Sequence, residues 1–155
     1  MKRNPQFNVE KLYVTPFIYE RKFHPDGRSY LEEITVEIPA TGIDVLDDFL
    51  RHVRAGNRSV QNIASQIGVA AVELNAFIKV LTGQTISEFI RLYMLHHAQQ
   101  LLKYTDLSVD EIAHHCGFVN NSNLTQSFTP IVGMPPREYR YQNQSRLDKG
   151  RFRLE

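Results

Sequence analysis

The feature that most constrains the fold of this chain is an internal repeat, in which one helical segment recurs about fifty residues further on. At a shift of 49, five residues have counterparts: Ile63, Ala64, Ile67, Gly68 and Val69 recur as Ile112, Ala113, Cys116, Gly117 and Phe118. At a shift of 50, five more follow: Leu74, Ile78, Gly83, Glu88 and Phe89 recur as Leu124, Phe128, Gly133, Glu138 and Tyr139. Apolar, glycine and capping positions keep their phase, so the sequence predicts two copies of one helical unit.

Each copy has the pattern of a helix-turn-helix, with a short helix stopped by glycine, a tight turn, and a second helix that also ends at glycine. Ser59 is the predicted N-cap of the first short helix, and 85–88 and 108–111 are capping boxes. A long amphipathic helix from about Ile86 to Tyr104 joins the copies. Helix-turn-helix units present their second helix to a major groove, which makes DNA binding the first hypothesis.

Ahead of the repeat, residues 7–38 are predicted to form strands. Segment 7–14 alternates weakly, and 17–23 and 28–38 flank the turn sequence Pro25-Asp26-Gly27. In the second of these strands one face is apolar, through Ile34, Val36 and Ile38. The expectation is a β-hairpin that packs on the helices or offers an edge strand to another protein or a second copy of the chain.

The predicted fold class is therefore mainly α, with about seven helices in two helix-turn-helix lobes joined by a long helix and preceded by a short N-terminal β-hairpin. The predicted domains are 1–42 for the hairpin extension, 43–141 for the tandem helix-turn-helix unit and 142–155 for a polar, basic and frayed tail. Some 42 residues ahead of the unit are too few for a ligand-enclosing barrel.

Bulk composition excludes several classes of protein without selecting one. The 18 Lys and Arg residues against 17 Asp and Glu give a net charge of +1, which does not by itself indicate a nucleic-acid binder. A single cysteine, Cys116, excludes an internal disulfide framework and fits a reducing compartment. No apolar run approaches the roughly 20 residues of a membrane span, so a cytoplasmic location without a membrane partner is expected.

The two copies and their linking helix resemble the DNA-binding unit of the AraC/XylS family of bacterial transcription regulators, over residues 43–141. The matching residues in the first half are Ile63, Ala64, Gly68, Leu74, Gly83, Phe89, Ile90, Arg91, Ala98, Leu101 and Leu102. Those in the second half are Leu107, Ser108, Glu111, Ile112, Ala113, Gly117, Phe118, Asn121, Ser122, Leu124, Phe128, Gly133, Pro136, Glu138, Tyr139 and Arg140. The resemblance implies seven helices in two lobes, with two recognition helices in successive major grooves on one face of the DNA.

The same resemblance implies which residues contact DNA. In the first recognition helix they are Val72, Asn75, Ala76 and Lys79, and in the second Asn121, Ser122, Asn123, Gln126 and Thr129. Asn120, Arg137 and Arg140 complete the candidate set. Asn and Gln pair bidentately with adenine, although Asn120 and Asn121 are equally suited to forming the turn and N-cap.

The sequence departs from the family pattern in charge. Many members carry basic residues where this chain has Ala76, Gln126, Thr129, Pro130 and Met94. Residues 57–133 hold four basic and five acidic side chains, a net charge of −1, whereas the basic residues are concentrated after 136. Weak DNA binding that is unusually salt-sensitive in practical terms is therefore expected. Pro130 is expected to kink or shorten the second recognition helix, either as an early helix stop or with impaired docking.

The predicted function is a sequence-specific DNA-binding transcription regulator whose partners are double-stranded DNA and, as a further candidate, RNA polymerase. The alternative is a protein-interaction module that kept the fold and lost useful DNA affinity. No catalytic constellation is present, so no enzyme activity and no cofactor are expected. His96, His97, His114, His115 and Cys116 could suggest a metal site, but a core thiol at Cys116 is the favoured interpretation and no metal is predicted.

Overall fold

The protein is mainly helical in a computed structural model that describes residues 6–154. The helices, in chain order, are α1 (Val9–Leu12), α2 (Asp44–Arg54), α3 (Val60–Ile67), α4 (Ala71–Thr82), α5 (Ile86–Tyr104), α6 (Val109–His115), α7 (Asn121–Val132) and α8 (Pro136–Asn143). The strands are β1 (Tyr19–Phe23), β2 (Ser29–Glu33) and β3 (Phe152–Arg153), in the sheet order β2-β1-β3. The predicted fold class is confirmed, with α2–α8 as the helices of the tandem unit.

The described chain divides into two compact units. The first unit comprises residues 6–14 and 37–93, and the second comprises 15–36 and 94–154. Each unit contains one helix-turn-helix, and the boundary falls within α5. The domain boundaries predicted at residues 42 and 141 stay a prediction.

The core of the first unit comes from the apolar faces of α2, α3, α4 and the first half of α5. Its buried residues include Leu46, Phe49, Leu50, Val53, Ile63, Ala64, Leu74, Ile78, Phe89 and Tyr93. The rings of Phe49 and Phe89 lie 5.5 Å apart between centroids. Burial of these large side chains is the main source of stability for helices as short as α3.

The second unit repeats this arrangement with its own residues. Its core includes Leu101, Leu102, Ile112, Ala113, Cys116, Leu124 and Phe128. The ring of Phe128 meets that of Tyr139 edge-on at 5.7 Å. Cys116 is buried, which confirms the interpretation of this residue as a core thiol.

The predicted helix ends are confirmed where capping residues were recognised. The Glu88 N–H donates to Thr85 Oγ1 at 3.2 Å and the Thr85 N–H donates to Glu88 Oε2 at 3.3 Å, a reciprocal capping box. Ser59 and Ser108 accept N–H groups of their own first turns. The glycines that follow α4 and α7 have φ of 79° and 94°, conformations that disfavour side chains with a Cβ.

The strand predicted over residues 7–14 is wrong, because this segment contains α1. Asn8 Oδ1 accepts the Lys11 N–H at 2.8 Å, so a side-chain cap starts a single helical turn. Leu12 is buried, and its carbonyl accepts a hydrogen bond from Arg54 Nη2 at 2.9 Å. A cap and long-range contacts such as this one outweigh the weak alternation of the segment.

The predicted hairpin is confirmed, but its second strand is shorter than expected. β1 and β2 are antiparallel, from Tyr19 opposite Glu33 to Phe23 opposite Ser29. β2 ends at Glu33, and Val36 and Ile38 are 37% and 60% exposed, so the apolar strand face predicted there is wrong. The Ile34 N–H still donates to Ile18 O. Further pairing in this direction would meet Pro16, which has no N–H to donate.

The tail predicted to be frayed forms β3 instead. β3 pairs antiparallel with β1, and the Ile18 and Arg21 N–H groups donate to the carbonyls of Arg153 and Arg151 at 2.8 and 2.7 Å. The Phe152 ring stacks on buried Phe17 at 5.0 Å and meets Tyr104 of α5 edge-on at 5.1 Å. One aromatic residue thus anchors a polar segment, and the hairpin packs on the helices of its own unit.

Within the described residues, no single helix is long and apolar enough to cross a membrane. Helices α3 and α4 meet the length and composition criteria only when taken together, and they are bent by 96° relative to each other.

Candidate nucleic-acid interface

The first recognition helix, α4, has one buried face and one solvent face. Leu74, Ile78 and Thr82 are buried on the side that packs in the first unit. Val72, Ala76 and Lys79, three of the four predicted contact residues, lie on the exposed side. Spacings of three and four residues keep each set on one face of the helix. This part of the predicted set is thus accessible to a ligand.

Asn75, the fourth predicted residue of α4, is half-buried and has an intramolecular partner. Its Oδ1 accepts the Ile86 N–H at 2.9 Å. Ile86 is the first residue of α5, and its N–H has no partner within its own helix. Asn75 therefore stabilises the start of α5, a role that the helical pattern of α4 did not reveal.

The second recognition helix, α7, starts at a cap made by one of the predicted residues. Asn120 Oδ1 accepts the Asn123 N–H at 2.9 Å, so Asn120 is the N-cap. Leu124 and Phe128 are buried, and the opposite side exposes Ser122, Asn123 and Gln126. These three side chains carry hydroxyl and amide groups suited to base edges.

Two further predicted residues of α7 are half-buried and bonded within the helix. The Thr125 Oγ1 donates to Asn121 O at 2.8 Å and lies 3.1 Å from Asn121 Oδ1. Thr129 Oγ1 donates to Thr125 O at 2.8 Å. The bond to Thr125 O holds the Thr129 side chain close to the helix backbone, which reduces its reach towards a groove. The Asn121 amide oxygen lies beside the Thr125 hydroxyl on the same helix.

Pro130 does not shorten α7. The helix has 12 residues, as α4 does, and it ends at Val132 with Gly133 as its C-cap. The interpretation of Pro130 as an early helix stop is therefore wrong. The Gly133 N–H donates to Thr129 O at 2.8 Å, so the last turn remains bonded although proline offers no N–H to the Gln126 carbonyl. Pro130 itself is exposed.

The two candidate arginines of α8 are in different surroundings. Arg137 is exposed, whereas Arg140 is half-buried and donates from Nε to Leu102 O at 3.0 Å and from Nη2 to Thr105 O at 3.5 Å. Burial lowers the pKa of the Arg140 guanidinium, and the negative charge of Asp106 acts in the opposite direction.

Gln144 also bonds to carbonyl oxygens at the end of α5, as Arg140 does. Its Nε2 lies within hydrogen-bond distance of the carbonyl oxygens of Leu102, Lys103 and Thr105, at 3.1, 3.1 and 2.9 Å. The last carbonyls of a helix have no hydrogen-bond partners within the helix. At the end of α5, Arg140 and Gln144 supply the missing donors. The sequence does not indicate this cap, because its donors lie about forty residues from the acceptors along the chain.

Comparison with models of known families gives a match over residues 63–142, to an AraC-type model described as a helix-turn-helix domain. The match runs from α3 into α8 and covers just over half of the chain. The chain belongs to the AraC/XylS family. Members of this family and the relatives matched are transcription regulators rather than enzymes.

Curated AraC/XylS relatives include transcriptional activators named RhaR from bacteria. The protein from Cronobacter sakazakii is 34% identical over 83 residues, 54% of this chain and 29% of the relative. The one from Salmonella typhi is 31% identical over 116 residues, 72% of this chain and 41% of the relative. The chain therefore spans well under half the length of these relatives.

Two solved structures have the same fold as this chain. An AraC-type regulator from Chromobacterium violaceum is 25% identical, with a TM-score of 0.61 over 66% of this chain and 95% of that one. The DNA-binding domain of AdpA, solved in complex with a target DNA, is 24% identical, with a TM-score of 0.59 over 63% of this chain and 90% of that one.

Proposed function

We propose that the chain binds double-stranded DNA with sequence preference and regulates transcription, with α4 and α7 each laid in a major groove. The observation that carries the proposal is that both copies of the repeat leave the same side of their second helix exposed. Helices of this kind contact base edges mainly through residues near their N-termini. Val72 and Ser122 are the second residues of α4 and α7. Insertion into successive grooves stays a prediction.

In this proposal the base-contacting set is smaller than the set predicted from the family. Ser122, Asn123 and Gln126 of α7 contact base edges, with the amides suited to adenine. Val72 and Ala76 contact bases from α4. Asn75 and Arg140 act by holding the two ends of α5, because Asn75 Oδ1 and Arg140 Nε and Nη2 are already bonded there. Asn120, Asn121 and Thr129 shape α7 instead of reaching a base.

Within the candidate set, few side chains can contact phosphate. α7 has no charged residue, and α4 has the exposed pair Glu73 and Lys79. Lys79 and Arg137 are the exposed cations of the candidate set. Since each phosphate neutralised adds to the sequence-independent affinity, a low total affinity is proposed.

Fluorescence polarisation with random and selected duplexes, at roughly 50 mM and 200 mM salt, tests the proposal. A charge-reversing substitution, Gln126→Glu, should abolish binding by repelling the phosphates that line the groove. Ser29→Glu in the exposed strand β2 is the matched control, because it adds the same charge away from both recognition helices in sequence. Footprinting of the selected site should show protection in two major-groove segments. Loss of binding with both variants, or with neither, would contradict the proposed surface.

The alternative function, a protein-interaction module, is favoured by one observation. Val72 and Val80 of α4 and Ile131 of α7 are large apolar side chains in solvent, at 82%, 80% and 54% exposure. Such groups are common in protein-binding surfaces. Absence of binding to any duplex at roughly 50 mM salt would favour this alternative.

Further partners follow from the regulator role and from the hairpin. RNA polymerase is the partner that an activator would contact, and a regulator of bacterial genes would act in the cytoplasm. All five residues of β2 are exposed, and β2 lies at one edge of its sheet, so it could pair with another protein or a second copy. If the edge mediates self-association, sedimentation should show a larger species for the wild type than for Leu31→Pro; equal sizes would contradict pairing through this edge.

A further inference from the structure

We propose that α4 recognises thymine through its C5-methyl group, while α7 recognises bases through hydrogen bonds. This inference rests on the proposed DNA binding and specifies the chemistry of one half of the site. Its basis is an apolar stripe on α4, defined as Val72, Ala76 and Val80, that faces solvent.

The stripe runs along one face of the helix, because its members are spaced by four residues. Val72 and Val80 keep 82% and 80% of their surface exposed, so they contribute little to the core. Ala76 lies between them with only a methyl group, which lets the helix axis approach a ligand closely. An apolar surface left in water at this position gains from contact with another apolar group.

The second copy shows that the fold does not require this stripe. At a shift of 50, its three positions are Ser122, Gln126 and Pro130. The buried positions, by contrast, stay apolar in both copies, as with Leu74 and Leu124. The chemistry of the exposed face is therefore set separately in each helix, which is expected if each half of the site presents different groups.

DNA offers one apolar group in the major groove, the C5-methyl of thymine. The stripe lacks hydrogen-bonding side chains and cannot match the donor and acceptor pattern of guanine or cytosine. Glu73 and Lys79 flank the stripe with opposite charges. Since phosphate repels the Glu73 carboxylate and attracts only Lys79, phosphate is a poor partner for this face of α4. A thymine-containing half-site is therefore the occupant that fits the stripe.

Uracil substitution isolates this contact, because deoxyuridine lacks the methyl group and keeps the same hydrogen-bonding atoms. A site is first selected from a random duplex library with the full chain. Each thymine of the selected duplex is then replaced in turn by deoxyuridine, and affinity is measured by fluorescence polarisation. Loss of one buried methyl contact should weaken binding about fourfold.

Variants assign the effect to α4. In Val72→Ala or Val80→Ala, the fold loss of affinity caused by deoxyuridine, here called the uracil penalty, should shrink towards one for at least one position. Alanine favours the helix, so these variants should still fold. Ser122→Ala, the matched change on α7, should weaken binding and leave the uracil penalties unchanged. Circular dichroism melts confirm that each variant is folded.

The possible outcomes distinguish a failure of methyl recognition from a failure of DNA binding. Binding of a selected site that is equally tight with thymine and uracil at every position would overturn methyl recognition and leave DNA binding intact. A uracil penalty that persists in both valine variants would equally overturn it. Absence of binding to any duplex would overturn the proposed function and this inference with it.

Discussion

Replacing Arg140 by methionine should destabilise the second unit without removing a DNA contact. Methionine keeps much of the aliphatic volume and deletes the donors to Leu102 O and Thr105 O, at 3.0 and 3.5 Å. Hydrogen bonds from charged donors contribute roughly 1.5–3 kcal/mol each. The second bond is long, and Gln144 still donates to both carbonyls, so we expect a loss of about 1.5 kcal/mol, near the lower end.

Urea denaturation at equilibrium measures this loss, and thermal melting should show a drop of about 3–6 °C for a chain of this size. Arg137→Met on the same helix is the matched control, because Arg137 is exposed. It should change stability by less than about 0.5 kcal/mol. It should also reduce the slope of log affinity against log salt by about 1 if Arg137 contacts a phosphate.

The double variant Arg140→Met/Gln144→Leu tests the shared cap. It should lose more stability than the two single variants added together, because only then are the Leu102 and Thr105 carbonyls left without either donor. An Arg140→Met protein with unchanged stability and reduced DNA affinity would refute the capping role and return Arg140 to the DNA-contacting set.

Three further predictions concern other parts of the two units. Asn75→Ala should cost about 1 kcal/mol in urea denaturation and Asn75→Asp much less, since the carboxylate still accepts the Ile86 N–H; equal losses would argue against a cap. Pro130→Ala should raise the free energy of unfolding, by at most about 3 kcal/mol, and an unchanged value would mean that proline costs nothing there. Phe152→Ala should cost about 2 kcal/mol, below the 3–5 of a fully buried Phe, and should make the hairpin sensitive to protease; a protected hairpin would refute anchoring by Phe152.

The helices of the tandem unit could be predicted because their ends are encoded locally. Ser59, the Thr85–Glu88 box and Gly133 each define a helix end through residues within four positions along the chain. The repeat added a second, independent indication, since a helix found in one copy was expected in the other. Local capping chemistry and periodicity were sufficient there.

The sheet could not be predicted to the same extent, because its pairing depends on distant residues. β3 meets β1 across more than 130 positions, as the ion pair between Arg151 and Glu20 shows. Nothing near Phe152 in the sequence indicates that Phe17 and Tyr104 would enclose it. The early end of β2 depends on the strand opposite, not on its own alternating residues.

In the candidate site, too, the features set by local spacing could be predicted, and those set by distant contacts could not. Val72, Ala76 and Gln126 are exposed as expected, because helical spacing from the buried leucines determines their side of the helix. Asn75 and Arg140 also lie on recognisable helices, but their side chains turn towards α5. A family position identifies a residue, whereas its role depends on whether its polar atoms are already bonded.

The lack of charge on α7 has a consequence for how salt should act on binding. The slope of log affinity against log salt is proportional to the number of phosphates neutralised. Lys79 and Arg137 are the exposed basic side chains of the candidate set, so the slope should be shallow, on the order of −2. Binding would then fail at moderate salt because the affinity is low at the outset, not because it falls steeply. Most of the discrimination between sequences would come from amide, hydroxyl and methyl contacts, which salt affects little. The ratio of specific to non-specific affinity should therefore stay nearly constant as salt is raised. A ratio that collapses would show that charged contacts other than those of Lys79 and Arg137 carry the specificity.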